Sequence, residues 1–337
     1  MGYKFTEDGL NAVLAELGQQ YRLFAPRRYE LEGGFSDTDS IRYGEVKTVG
    51  EMELAEKSSH TFKEAVLPIS ETLFFFTEDD VKVADGDVRE IIIFLRSCDL
   101  HAVRRLDEIY KNNMTADFYY SRLRDVSKFV LIGCETAFEN CFCVDMEANI
   151  STNYDASLDE VDGSYYMDCK LSDWSEIFER HAEESLDVEP RHVTETKVRV
   201  SIPENLDARV ANSTIWEEYD TRCIACGRCN FSCPTCTCFS MQDIFYTDNG
   251  KSGERRRVWA SCMVDGFTDV AGGGSYRGKN GQRMRFKTLH KVLDFKQRYG
   301  YHMCIGCGRC DDVCPEYISF SHIINRLNDA VKEVSGK

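Results

Sequence analysis

The chain has 337 residues, 42% of them hydrophobic and 12% aromatic, which suits about two domains of ordinary size. A formal charge of −16 and a sequence pI near 5.0 exclude a surface that binds nucleic acid throughout, leaving room only for a local basic patch. The longest apolar runs, Leu73–Phe76 and Ile91–Leu95, fall far short of the roughly 18 residues of a membrane span.

The first residues lack the charged-then-apolar layout of a secretory signal. Met1-Gly2…Thr6 fits the loose myristoylation pattern over too few positions to count. The expectation is a cytoplasmic protein with no membrane insertion. Thr6 is the predicted N-cap of a helix through Gln19, with Val13, Leu14 and Leu17 on one face. Arg89–Leu95 reads as a buried strand, Asp99–Tyr110 as the helix after it, and Lys128–Gly133 as a second buried strand. Two continuous apolar strands flanking helical sequence predict a parallel βαβ unit, and ligands gather at the carboxyl ends of such strands. Ser164–Met167 and Val198–Ile202 are further candidate strands, and Asp173–His181 a further helix. The fold expected is a mixed α/β domain over 1–205, followed over 206–337 by an α-helical, ferredoxin-like domain.

That division follows the cysteines. There are sixteen: Cys98, Cys134, Cys141, Cys143 and Cys169 are scattered, and eleven crowd the chain from Cys223 onward. In a large chain without an export signal, clustered cysteines point to metal rather than to disulfides.

The C-terminal cysteines form an internal repeat. Cys223-Ile-Ala-Cys226-Gly-Arg-Cys229 runs on to Cys233-Pro234, and Cys304-Ile-Gly-Cys307-Gly-Arg-Cys310 to Cys314-Pro315. Both copies have the C-x2-C-x2-C-x3-C-P spacing of bacterial ferredoxins, in which the fourth cysteine ligates the other cluster. The spacing assigns Cys223, Cys226, Cys229 and Cys314 to one [4Fe–4S] cluster, and Cys304, Cys307, Cys310 and Cys233 to a second. Zinc would call for separated C-x2-C pairs instead.

The 71 residues from Cys233 to Cys304 hold a long insertion, 239–300. Its 251–300 portion carries twelve Lys and Arg against four Asp and Glu, led by Arg255–Arg257, Arg283, Arg285, Lys287 and Lys291. Two readings stay open: a face toward an acidic partner or nearby anionic cofactor, or a solvated face that offsets the protein's own acidity. No recognised motif frames the patch for nucleic acid.

Cys98 and Cys134 fall at the ends of the two buried strands, with Cys141 and Cys143 close behind. They are candidate ligands of a third cluster, with Asp99 able to replace one thiolate; the bland alternative is buried thiols. Cys236, Cys238 and Cys262 are expected to line the second cluster's pocket, and Cys169 to pack. His290 and His302 flank the second repeat, where they would either tune a cluster or pack. Arg96 and His101 beside Cys98 suit a site or an ordinary cap equally. There is no nucleophile–base pair and no G-x-G-x-x-G, so catalytic residues and nucleotide binding are not expected in this chain.

With the repeats in place, the segment Arg283–Cys304 becomes diagnostic, together with Cys233-Pro-Thr-Cys-Thr-Cys238, Trp259-Ala-Ser-Cys262 and Arg96-Ser-Cys-Asp-Leu100. In these the chain resembles the iron–sulfur electron-transfer subunit of the bacterial anaerobic sulfite reductases. The wider group includes the iron–sulfur beta subunits of sulfhydrogenases. The resemblance runs the length of the chain and implies an electron-transfer role in a dissimilatory-type complex. A flavin (FAD) subunit would oxidise NADH, this chain would relay the electrons, and a sirohaem subunit would reduce sulfite to sulfide. The alternative is a sulfhydrogenase-type beta subunit; a zinc-binding, non-redox scaffold is the outside alternative.

Overall fold

The computed structural model describes residues 1–34, 37–86 and 89–336. Its main strands in chain order are β1 (Gly2–Phe5), β2 (Arg22–Tyr29), β3 (Ser40–Glu45), β4 (Ser70–Phe76), β5 (Val81–Val83), β6 (Ile91–Arg96), β7 (Ser127–Ile132), β8 (Ala156–Val161), β9 (Ser164–Asp168), β10 (Glu184–Leu186), β11 (Phe239–Phe245) and β12 (Gly253–Trp259). An eight-stranded sheet takes the order β10-β1-β9-β8-β7-β6-β2-β3. Its centre, β2-β6-β7-β8, is parallel and its flanks are antiparallel.

Every residue of β6 is buried, as an apolar run in a central parallel strand requires. Ile92 and Phe94 face one side, where the helix α1 (Glu7–Leu17) and the helix Ser172–His181 pack through Leu10, Val13, Leu14, Trp174 and Phe178. Ile91, Ile93 and Leu95 face the other, against Leu100, Val103 and Leu106 of the helix α2 (Ser97–Tyr110). Thr6 caps α1 by accepting from the Gly9 N–H at 3.1 Å. That helix ends at Leu17, two residues short of the expected Gln19.

Val198–Ile202 is not a strand. Side chains satisfy its backbone instead: Val200 N–H donates to Asp145 at 2.7 Å and Ser201 N–H to Asn325 at 2.8 Å, while Asn325 donates to the Arg199 carbonyl. Nor is the C-terminal region purely helical. β11 and β12 of the insertion form an antiparallel pair, and β12 pairs with β4, building the four-stranded sheet β11-β12-β4-β5. The insertion thus joins a sheet whose other half lies before residue 84. It continues through the helix Asn280–Leu289, a π-helical turn His290–Asp294 and the helix Phe295–Tyr299. The last helix, Phe320–Ser335, packs Phe320, Ile323, Ile324 and Leu327 into a third core beside the repeats.

Candidate metal centres

The two cysteine loops share one backbone. Ala225 and Gly306, third in each repeat, have φ +56° and +68°; Gly227 and Gly308 have φ +77° and +72° and open the short helices Arg228–Phe231 and Arg309–Asp312. Left-handed residues at these positions wrap three cysteines around a common space. Cys223, Cys226, Cys229 and Cys314 line one apolar cavity, with Met284 and Ile318 in its wall. Cys304, Cys307, Cys310 and Cys233 line a second, with Phe142 and Ile305. Cys310 also lines the first cavity and Cys229 the second, so each cavity draws three cysteines from one repeat and two from the other, a set that includes the quartet expected from the spacing.

Buried cations stand among these thiols. Lys287 and Lys291, one helical turn apart, both reach the second cavity, and Lys287 also lines the first. Burial pulls both lysines toward neutrality, but the sulfurs of Cys229 and Cys310 around Lys287, and of Cys233 and Cys236 around Lys291, outweigh it and raise both pKa values. Lys291 Nζ also donates to Thr235 Oγ1 at 2.8 Å. Lys63 comes from the N-terminal half, donating to the carbonyls of Cys236 at 2.6 Å and Cys233 at 3.3 Å. Burial dominates there and brings its pKa down to about 8. Soft thiols around apolar, water-poor cavities with buried ammonium groups suit anionic iron–sulfur clusters. Among the described residues no three His, Cys, Asp or Glu side chains close on a single ion.

Arg257 and Arg283 of the insertion are buried, whereas Lys251, Arg255, Lys279, Lys296 and Arg298 are exposed. Arg257 pairs with Glu71 at 2.9 Å and Asp117 at 2.8 Å, Arg255 with Asp243 at 2.6 Å, and Arg283 with Asp265. The buried part of the patch serves the protein's own carboxylates and its thiol cavities, and the exposed part lies on the surface.

Cys98, Cys134, Cys141 and Cys143 meet at one further cavity, against the back of the second. β6 and β7 are parallel neighbours with Arg96 opposite Ile132, so their carboxyl ends deliver Cys98 and Cys134 to the same edge. Phe142 N–H donates to the Gly306 carbonyl at 2.8 Å and Cys141 Sγ to the Cys307 carbonyl at 3.4 Å, fixing the Cys141–Cys143 loop on the second repeat. Asp99 does not join these cysteines. It is fully buried and binds Arg309 through both carboxylate oxygens, at 2.7 and 2.9 Å, so it is already committed and no substitute thiolate.

The other expectations resolve individually. Cys236 lies beside Cys233, while Cys238 lies beside Cys262, which accepts from Asn230 Nδ2 at 3.1 Å. None of the three lines the second cavity, contrary to expectation. Cys169 is buried in the first core, as expected. His290 stacks on Phe286, and His302 Nδ1 meets the Val292 carbonyl at 3.0 Å; neither lines a thiol cavity. His101 Nε2 meets the Ile150 carbonyl at 2.7 Å, and Arg96 donates to the Gly133 carbonyl at 2.9 Å. Sequence reasoning missed Lys57, Lys63 and the Asp99–Arg309 pair, whose roles arise only when distant segments meet.

Residues 222–318 match the 4Fe-4S dicluster domain family. Over 94% of its length, and 95% of the relative's, the chain is 26% identical to sulfhydrogenase 2 subunit beta of Pyrococcus furiosus. A 123-residue stretch, 36% of this chain and 24% of the relative, is 23% identical to the F420-dependent formate dehydrogenase subunit beta of Methanocaldococcus jannaschii. No solved structure matches the chain. The protein is a homologue of a sulfhydrogenase beta subunit and carries a 4Fe-4S dicluster domain. The full-length relative bears the name of the alternative drawn from the sequence, not of the sulfite reductase that the resemblance favoured. Among the described residues no helix is long and apolar enough to cross a membrane.

Proposed function

We propose that this chain is the electron-relay subunit of a multi-subunit oxidoreductase of the sulfhydrogenase type, holding two [4Fe–4S] clusters on Cys223, Cys226, Cys229, Cys314 and on Cys304, Cys307, Cys310, Cys233. The observation that carries the reading is the paired cavity: two cysteine-lined cavities share one wall, where Cys229, Cys310, Lys287 and Phe320 line both. When bound, such clusters pass single electrons. The chain's own residues exclude water through Met284, Phe142 and Ile318, and hold buried positive charge that favours the more negative, reduced state. At the first site Cys226 is exposed, as is Ile224 in the same cavity wall, so an electron can leave or enter there. The second site is the more enclosed, its Cys307 buried.

A flavin subunit fed by NADH is the donor that the sequence resemblance suggests. The same resemblance supports a second reading, with a sirohaem subunit reducing sulfite as acceptor. Its most diagnostic segment, Arg283–Cys304, supplies Lys287, Lys291 and Cys304 to the cavity walls. That segment therefore speaks to the relay more than to the terminal acceptor. The test is to isolate the native complex without oxygen and assay it with reduced viologen. Hydrogen evolution or sulfur reduction supports the sulfhydrogenase-type reading, and sulfite-dependent sulfide production the second. A colourless chain holding zinc and no iron overturns both.

A further inference from the structure

We propose that Cys98, Cys134, Cys141 and Cys143 hold a third [4Fe–4S] cluster, outside the dicluster domain and directly behind its second site. The proposal rests on the relay reading and extends it into the α/β half of the chain.

Two stretches of the chain bring four thiols to one cavity: the first turn of α2, which carries Cys98, and the segment after β7, with Cys134 next to Gly133 and Cys141 and Cys143 in the loop that follows. A shared hydrophobic core does not require four sulfurs at one point. It requires still less the three cations around them: Lys57, Arg96 and Arg309 line the same cavity. Lys57 Nζ lies 3.9 Å from Cys141 Sγ. Arg309 is paired with Asp99, Lys57 with Asp312 at 2.6 Å, and Arg96 is held by the Gly133 and Leu54 carbonyls; a cluster with four thiolates would place a further anion before all three.

Ser97 supplies an independent observation. Its side chain lines this cavity, the residue is only 7% exposed, and its hydroxyl has no hydrogen-bond partner among the described residues. A buried hydroxyl left without an acceptor costs about 1–3 kcal/mol, and a cluster sulfide or cysteine sulfur here would supply one. The amino end of α2 adds its partial positive charge at the same place. All four cysteines are free thiols, so no disulfide accounts for their convergence.

The placement defines what the site can do. Cys307 lines both this cavity and the second one, so the two would be separated by little more than one cysteine. A cluster here would exchange one electron with the second cluster, the one reduced as the other is oxidised. On its far side Cys134 and Arg96 also line an open, charged cleft with Glu135, Asp159 and Arg191. The relay would then run from the surface at Cys226, through the enclosed second site, to the carboxyl edge of the parallel sheet.

The test uses the full chain, purified and reconstituted with iron and sulfide under anaerobic conditions. About 12 iron and 12 sulfide per chain are expected, at four per cluster. Cys98→Ser and Cys134→Ser should each lose about one third of both, leaving the spectra of the two ferredoxin-type clusters in place. The reduced wild type should show magnetic coupling in EPR that these variants lose, because the third site abuts the second. Cys169→Ser, in the core, should keep the full complement. A reconstituted wild type with about 8 iron overturns the third site and leaves the relay reading standing. So do soluble variants that retain all the iron. A chain that binds no iron at all overturns the relay reading itself.

Discussion

Arg228 and Arg309 hold the same place in the two Cys-Gly-Arg-Cys repeats, yet Arg228 is exposed while Arg309 is 2% exposed and clamped on Asp99 and Ser58. Removing one partner from such a pair strands a buried charge. Asp99→Asn should cost about 3–5 kcal/mol, and Arg228→Gln no more than about 0.5 kcal/mol, measured by chemical denaturation without oxygen. The buried lysines act on potential. Lys287→Gln should lower the midpoint of at least one cluster by on the order of 60 mV, one tenfold step for a single electron; a redox titration that finds no change would place this ammonium outside the clusters' field. His101, His290 and His302 are each held below the ordinary imidazole pKa, chiefly by burial. Below about pH 6.5 the unfolded chain takes up protons that the native one resists, so stability should fall as pH drops from about 6.5 through the lowered native values. His101→Gln should flatten part of that slope in denaturation curves taken between about pH 7.5 and 5.5. The convergence of the repeat cysteines and of the Cys98–Cys143 group was legible because their signal is local spacing or strand ends. Lys57, Lys63 and Asp99 were not, because nothing near them in sequence marks what they will meet.

The repeat is a matter of elements rather than side chains. Both loops need left-handed residues at their third and fifth positions, but the second is pressed onto backbone, at Phe142 and Asn140, while a Cβ at Gly227 of the first would meet the Val264 side chain at 2.7 Å. A Cβ at Gly306 would lie 2.5 Å from the Phe142 carbonyl oxygen, whereas the first loop tolerates Ala225 at the same position. Gly306→Ala should destabilise by about 2 kcal/mol or more and loosen the Cys141–Cys143 loop. Ala225→Gly should be neutral or stabilising by up to about 1 kcal/mol, since relieved strain exceeds the added chain entropy only slightly. Thermal melts of the two variants check the contrast. The central strands β6 and β7 and helix α2 were readable from their apolar runs. Val198–Ile202 misled because its β-branched residues look like a strand, while its backbone is satisfied by Asp145 and Asn325, which no local pattern announces.

For the molecule as a whole, the composition shift at the cysteines was legible and the join between the halves was not. Ile305 and Cys307 of the second repeat sit in the same core as Leu100 and Phe129 of the α/β half. Alternation in β11 and β12 gave no cue to their pairing, because one partner strand lies far upstream. Ser70 pairs with Val258 and Phe76 with Gly253, so this sheet can close only after most of the chain has left the ribosome. Until then Leu73–Phe76 is a bare, aromatic strand edge, the kind that recruits other chains. Products that stop before Gly253 should therefore scatter light and pellet where the full chain stays dispersed. Synthesis arrested ahead of the second repeat leaves each cavity short of cysteines, the first without Cys310 and Cys314 and the second without Cys304, Cys307 and Cys310.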